Sequence, residues 1–432
     1  MSIYDEILAN AEIPKFAPAS LSFDTSYIED VEKAVLDSLA GSGVMKRVKP
    51  GASIAIAVGS REIDQVATMV KLVIQEVKKA GGIPFIVPSM GSHAGANAEG
   101  QTALLKNFGI SEESMGVPIR SSMETNHVGV TEDGLEVRID SYASGADGII
   151  LIARIKPHTS FRGKVESGLM KMMAIGLGKQ YGAALCHQLG FPGMGDNVWN
   201  FGRVVLAKKP ILFGLAVVEN SIHKPYRIEA IPSEEFEDRE PPLLVEAKSL
   251  IPKIPFKDID LLIVDEMGKE YSGTGMDLNV IGRNSHLGSS DPNPQIITVF
   301  DLTDNSHGNA SGMGSADVIT ERFEKKIDRV AGYVNGITVK ECSSLRMPAV
   351  MENERQAIKV CINSYVPEIK PEKIRAIWIH NTLDLRRIFI SEGLLEEAKA
   401  VKTIEILGPP EELDFDGQGN IKRRPGESWN RI

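Results

Sequence analysis

Along the first 190 positions, short β-branched apolar runs alternate with longer stretches whose apolar residues recur at helical spacing. The runs at 53–60 (SIAIAVGS), 83–93 (IPFIVPSMGSH) and 147–155 (DGIILIARI) are apolar almost throughout and end in small or polar residues. That is the pattern of strands covered on both faces. Between the first two, 61–79 has the spacing of an amphipathic helix and closes on Gly81-Gly82; 97–109 supplies another helix after the second. Strand-helix-strand-helix order predicts a mainly parallel α/β sheet. Such sheets bind ligands beyond the carboxyl ends of their strands, so Arg61, His93 and His158, each just past a strand, are expected on one rim.

The remaining pattern is less regular. Residues 1–50 contain Pro14 and Pro18, then a helix (IEDVEKAVLDSLAG) with Gly41 as its stop. The stretch 117–140 reads as β-structure around the turn Glu132-Asp133-Gly134, which makes His127 an exposed hairpin residue. Residues 190–200 (GFPGMGDNVWN) read as a loop before the strand ILFGLAVVEN, which His223 follows. PSEEFEDREPP and IPKIPF read as linker punctuation. The expected boundary therefore divides an N-terminal α/β domain (1–255), carrying cofactor and catalysis, from a C-terminal α/β domain (256–432). In the latter, 258–283 runs from a strand into a glycine-rich loop holding Asp265, Glu266, Lys269, Asp277 and Arg283. QIITVFDL and AIWIHNTLDL are further strands, helices fall near 313–332 and 391–401, and the polar tail from Gly408 is peripheral. The expected architecture is two α/β domains with mainly parallel sheets and an active site in the cleft between them.

Composition narrows the classes. The chain has 432 residues, 42% hydrophobic and 25% charged, as in ordinary globular proteins. Its 48 basic and 58 acidic residues leave a net charge of −10, which argues against a nucleic-acid surface. No apolar run approaches a membrane span, and the first residues lack the basic and apolar regions of a signal peptide. Three cysteines (Cys186, Cys342, Cys361) are too few and too scattered for a disulfide framework. A cytoplasmic protein is expected.

The richest chemistry lies at 154–187 (ARIKPHTSFRGKVESGLMKMMAIGLGKQYGAALCH, read from Ala153), where His158, Arg162, Lys164, Glu166, Lys171 and His187 are interleaved with glycines. Two phosphate motifs are near misses: Gly163 to Gly168 has the P-loop frame but Leu169-Met170 where Lys and Ser/Thr belong, and Gly176 to Gly182 is one residue too long for a dinucleotide fingerprint. Histidines at two strand ends can act as bases from opposite sides of a substrate. A ligand set of His93, His158 and His187 is the rival reading, although no H-E-x-x-H spacing supports it. Cys186 beside His187 could ligate or attack, against the simpler reading of a buried thiol.

From about residue 50 to 190, and more weakly beyond, the chain resembles the nickel-pincer lactate racemase family. The matching features are Arg61, Gly91-Ser92-His93, His158, Ser167-Gly168-Leu169-Met170-Lys171 and His187. The resemblance implies that Lys171 tethers a nickel-pincer nucleotide (nickel pyridinium-3,5-bisthiocarboxylic acid mononucleotide) and that His187 ligates its nickel. By the same resemblance His93 and His158 are the acid/base pair, Arg61 meets the cofactor phosphate, and Ser167 and Gly168 belong to the cofactor-binding element. The implied reaction is racemisation or epimerisation at C2 of a 2-hydroxy acid by hydride transfer, with Arg162 or Lys269 holding the substrate carboxylate. Cofactor-biosynthesis enzymes would be partners, and recombinant protein can lack the cofactor. Oligomeric state, including a homo-oligomer, stays open.

Ala94 replaces the family's Arg after the Gly-x-His histidine, and Val58 replaces the acidic residue three places before the first Arg. The interval from His158 to Lys171 is also longer than in the lactate enzymes, and the DEMGKEYSGTGMD stretch is typical of divergent homologues. These departures bear on the substrate before the cofactor and leave room for a larger or more polar 2-hydroxy acid, such as a sugar acid. Two other readings remain: a zinc- or iron-dependent lyase or hydrolase of a small carboxylate, and a non-catalytic cofactor-binding protein.

Overall fold

A computed structural model describes residues 2–60, 63–188, 190–284, 288–338, 342–365 and 370–426. The chain forms two compact units, one of residues 24–251 and the other of residues 1–23 together with 252–432. Both are α/β, each with a mainly parallel principal sheet.

The 24–251 unit is built on five strands in the order Ile83–Pro88, Ser53–Val58, Gly148–Arg154, Ile211–Glu219 and Pro225–Pro232. The first four run parallel; the last pairs antiparallel with its neighbour. Side chains alternate across this sheet, because successive residues of a strand point to opposite faces. Ile54, Ile56, Val58, Ile150 and Ile152 pack with the apolar faces of the helices Val31–Ser42 and Val66–Lys79. Ala55, Ala57, Ile149, Leu151 and Ala153 pack on the opposite side against residues 161–205 and the helix Phe236–Leu250. Small alanines on that side leave room for the segment that carries most of the candidate site.

The other unit holds an eight-stranded sheet in the order Ala349–Met351, Val318–Thr320, Ile296–Leu302, Leu261–Met267, Ala376–Ile379, Arg387–Ser391, Phe16–Leu21, Ile404–Ile406. The first five strands are parallel and the last three pair antiparallel.

Several expectations are corrected. Phe16–Leu21, hidden in the sequence by Pro18, pairs with Arg387–Ser391 in register Phe16 to Ser391, so residues 1–23 do not belong with the N-terminal α/β domain. The helix expected to stop at Gly41 continues to Ser42 and is closed by Gly43 in the left-handed region. The helix expected to open at 61–64 runs from Val66 to Lys79, with Ile63 and Asp64 ahead of it and 61–62 outside the described residues. Residues 190–200 are mostly the start of the helix Met194–Lys208, which buries Val198, Phe201 and Val205. The supposed linker PSEEFEDREPP belongs largely to Phe236–Leu250, whose buried positions 240, 243, 244, 247 and 250 keep helical spacing despite Pro241-Pro242. The helix expected at 313–332 is instead a short turn, the strand Val318–Thr320 and the helices Glu321–Glu324 and Arg329–Thr338.

Candidate functional site

The glycine-rich segment after the strand Gly148–Arg154 is largely helical. Residues Gly168–Lys171 start a helix that widens into a π-turn over Met172–Gly176, where Leu177 N–H donates to Met172 O at 2.8 Å. The chain re-enters α-helix at Lys179–Cys186 and ends at His187. Wide turns of this kind are rare and concentrate at functional sites. The start is fixed by two features. Gly168 has φ +77°, and a Cβ there would lie 2.2 Å from Glu240 Oε1. Glu240, fully buried, accepts from Met170 N–H at 3.0 Å and so ties the first turn down. Ser167 Oγ meanwhile accepts from Lys156 N–H and donates to Lys156 O, both at 2.6 Å.

Lys171, half-buried, places Nζ 5.0 Å from the centroid of the Phe161 ring. His158 stacks on that same ring at 4.4 Å, so the lysine and the histidine flank one aromatic side chain. His187, one helix on, has its imidazole held below the ordinary range chiefly by burial; the Lys171 charge adds to this and the Ala183 carbonyl opposes it. The interaction brings Lys171 and His187 into one neighbourhood. His187 Nδ1 bonds the Ala183 carbonyl at 2.6 Å, an acceptor only. The proton is therefore on Nδ1 and the lone pair on Nε2, the tautomer a metal ligand needs. Cys186 is buried and its thiol is pushed up to about 12 by burial, so the expectation of a buried thiol fits and that of a nucleophile does not.

His93 is exposed at the end of the neighbouring strand, its Nδ1 hydrogen-bonded to Ser60 Oγ past the strand Ser53–Val58. The turn that carries it is seated on the helical segment: Gly91 N–H donates to Gly176 O at 3.1 Å, and a Cβ on Gly176 would meet Ser89 O at 2.7 Å. Gln101 donates to Gly91 O at 3.0 Å, and its own oxygen accepts from the buried Lys179 at 3.1 Å. Lys179 Nζ also bonds Pro88 O and lies 3.3 Å from Asp140 Oδ2, both side chains wholly buried. Burial depresses the Lys179 amine and raises the Asp140 carboxyl, while their mutual attraction opposes both shifts.

Glu166, at 0% exposure, is the hub beneath His158. It accepts from His158 N–H at 2.9 Å and Lys248 Nζ at 2.7 Å, with Arg162 Nη1 at 3.6 Å. Arg162 further donates to His158 O at 2.7 Å and Phe161 O at 3.1 Å. His158 and Lys171 thus share the Phe161 ring, the Lys171 charge acts on His187, and the turn that carries His93 is hydrogen-bonded to the same helical segment. Arg61 lies outside the described residues. Beyond it in the chain, Asp64 N–H donates to Glu219 Oε1 at 3.1 Å. Lys269 belongs to the other unit, where its Nζ donates to Gly273 O at 2.8 Å and Ser311 O at 2.9 Å; meeting a carboxylate would require leaving those carbonyls. Of the weaker candidates, His127 is exposed on the strand Thr125–Val130, and His223 is depressed by burial.

Sequence patterning assigned no role to Ser60, Gln101, Asp140, Lys179, Glu240 or Lys248. Lys179 and Glu240 had a faint signal, as charged residues at positions where helical spacing calls for apolar ones. Among the described residues, no group of three or more His, Cys, Asp and Glu side chains could hold a metal ion. A set built from His93, His158 and His187 alone is therefore not assembled, whereas one histidine completing a ligand set supplied by an organic group fits. No helix of the described residues is long and apolar enough to cross a membrane.

Residues 4–189 match the model of the lactate racemase N-terminal domain. Among solved structures, the chain is similar to the lactate racemase apoprotein from Thermoanaerobacterium thermosaccharolyticum, at 17% identity over 70% of this chain and 73% of that one, TM-score 0.44. It is also similar to a protein from Thermotoga maritima, at 13% identity over 82% of this chain and 97% of that one, TM-score 0.51; that likeness is one of fold. No curated protein sequence matches significantly.

Proposed function

We propose that this chain, lactate racemase-like and carrying that family's N-terminal domain at residues 4–189, is a racemase or epimerase acting at C2 of a 2-hydroxy acid through a nickel-pincer nucleotide. The observation that carries this reading is the pairing of Lys171 and His187 on one helical segment, with the His187 lone pair set on Nε2 by the Ala183 carbonyl. Lys171 would hold the nucleotide through its side-chain nitrogen, and His187 Nε2 would bind the nickel. When bound, the group supplies the two-electron acceptor and donor that a C–H bond beside a hydroxyl needs, since that hydrogen is too weakly acidic to leave as a proton.

The chain's own residues do the rest. The Gly168 turn, held by Glu240, aims the short helix that carries Lys171. Phe161 gives Lys171 and His158 a common apolar wall that excludes water from one side of each. His93 and His158, which follow different strand ends, are the groups that would meet the substrate hydroxyl, where hydrogen bonding and proton transfer are needed. Arg162 is exposed and donates to the His158 carbonyl, and its guanidinium suits a carboxylate.

The alternative of a zinc- or iron-dependent lyase needs a protein-built metal site, and none is assembled among the described residues. The test is C2 inversion of a panel of 2-hydroxy acids, including sugar acids, by cofactor-loaded protein in deuterated water. Inversion without deuterium at C2 is expected from hydride transfer; deuterium at C2 would mean proton abstraction instead.

A further inference from the structure

The two histidines are not equivalent, because their Nδ1 atoms meet groups of different hydrogen-bonding capacity. Ser160 N–H donates to His158 Nδ1 at 3.0 Å. A backbone N–H can only donate, so Nδ1 must offer its lone pair and the neutral ring must carry its hydrogen on Nε2. The rest of the residue is equally constrained. Its N–H is taken by the buried Glu166 carboxylate, its carbonyl by Arg162, and its ring lies against Phe161 with Phe191 at 6.4 Å. Turning the ring over would replace the nitrogen facing Ser160 by a carbon and lose the bond, so this orientation is not arbitrary.

His93 Nδ1 instead meets the Ser60 hydroxyl, which can donate or accept by rotating its hydrogen. When Ser60 accepts from Nδ1–H, Nε2 has a lone pair and can take a proton. The bond survives in the imidazolium, because Nδ1 keeps its hydrogen throughout. The Ser60 hydroxyl thus permits the full protonation cycle that the Ser160 N–H denies to His158.

We infer that Ser60 and the Ser160 amide are positioning groups that split the acid/base work: His93 alone shuttles the substrate's hydroxyl proton, while His158 remains a neutral Nε2–H donor to the same oxygen. This rests on the racemase reading of the site. The proton balance is simple. The substrate O–H bond breaks as a bond forms to His93 Nε2, and the same proton returns to oxygen when the carbonyl is reduced again. The electron pair of the C–H bond travels separately, through the cofactor class proposed above. His158 neither gains nor loses a proton; its hydrogen bond strengthens as charge builds on the oxygen. Inversion then requires the substrate carbonyl to present its other face between the two hydride transfers, with one proton carrier serving both.

The assignment can be read without turnover. Full-length protein labelled with 15N-histidine, observed at about pH 8 where ordinary imidazoles are neutral, is expected to show His158 with hydrogen on Nε2 only. Assignment comes from the spectra of His93→Gln and His158→Gln. A His158 ring protonated on Nδ1 would overturn the division of labour and leave the racemase reading standing. In cofactor-loaded protein, His93→Gln is expected to lose about 100- to 10,000-fold in kcat, the usual worth of a general base. His158→Gln, which keeps an N–H donor, is expected to lose about tenfold or less, the worth of a neutral hydrogen bond. Ser60→Ala should lower kcat with KM little changed, and Ser60→Thr should restore it. Equal losses for the two histidine variants would refute the inference. No inversion of any 2-hydroxy acid by loaded wild-type protein would remove the racemase reading itself.

Discussion

Glu240 permits a prediction that joins stability to the site. Its Oε2 accepts from the Met170 amide at 3.0 Å, its Oε1 is buried without a hydrogen-bond partner, and burial pushes the carboxyl up to about 8 against the lowering effect of the Met170 and Leu169 amides. The folded group therefore holds a proton that the unfolded one, near 4.5, has released. Because the folded value is raised, the associated stability is fully present below about pH 4.5 and is lost as pH rises through about 8. Each pH unit between those values is worth about 1.4 kcal/mol, so the loss has an upper bound of about 5 kcal/mol. Glu240→Gln keeps an acceptor oxygen for Met170 and cannot ionise. Urea unfolding followed by circular dichroism from about pH 5.5 to 9 should show the variant near wild-type stability at the acid end. Toward pH 9 it should become more stable than wild type, by up to about 3 kcal/mol, the part of that bound falling between about pH 5.5 and 8. Curves that stay parallel across this range would show that Glu240 is ionised in the folded protein and refute the argument.

Three further outcomes are expected. Lys179→Met leaves Asp140 buried without its cation and should cost about 3–5 kcal/mol; the double variant with Asp140→Asn should recover part of that in the same unfolding assay. Gly168→Ala forces a side chain into φ +77° and against Glu240, costing at least about 1–3 kcal/mol of backbone strain, visible as a lowered Tm. His380 is pushed up to about 9 by Asp265 and Glu266, so its contribution is fully present below about pH 6.5 and lost as pH rises through about 9. An NMR titration placing this imidazole at an ordinary histidine value would contradict the ion-pair geometry at Asp265 and Glu266.

What the sequence disclosed follows from which forces are local. Doubly covered strands such as 53–60 and 147–155 announce themselves, because burial on both faces demands β-branched apolar residues without interruption. The candidate rim residues were legible for the same reason, since His93 and His158 stand only a few residues beyond the strands Ile83–Pro88 and Gly148–Arg154. Phe16–Leu21 was illegible because Pro18 argues against a strand, and its pairing with 387–391 joins distant parts of the chain. Helices 194–208 and 236–250 were obscured by glycine and proline at their starts, although Leu243, Leu244, Ala247 and Leu250 keep a helical face whose packing outweighs propensity. The buried network of Asp140, Lys179 and Gln101 left almost no trace, because nothing local distinguishes a charged residue that will be paired in the core from one on the surface. The same holds for Ser60, whose meaning comes only from the ring it faces.

The most direct test of the central claim is intact-protein mass spectrometry with metal analysis on full-length protein coexpressed with pincer-cofactor biosynthesis enzymes. The account predicts an adduct mapping to Lys171 and near-stoichiometric nickel, with the adduct absent from Lys171→Ala and nickel diminished in His187→Ala. Unmodified protein carrying zinc or iron in place of nickel under the same conditions would contradict it.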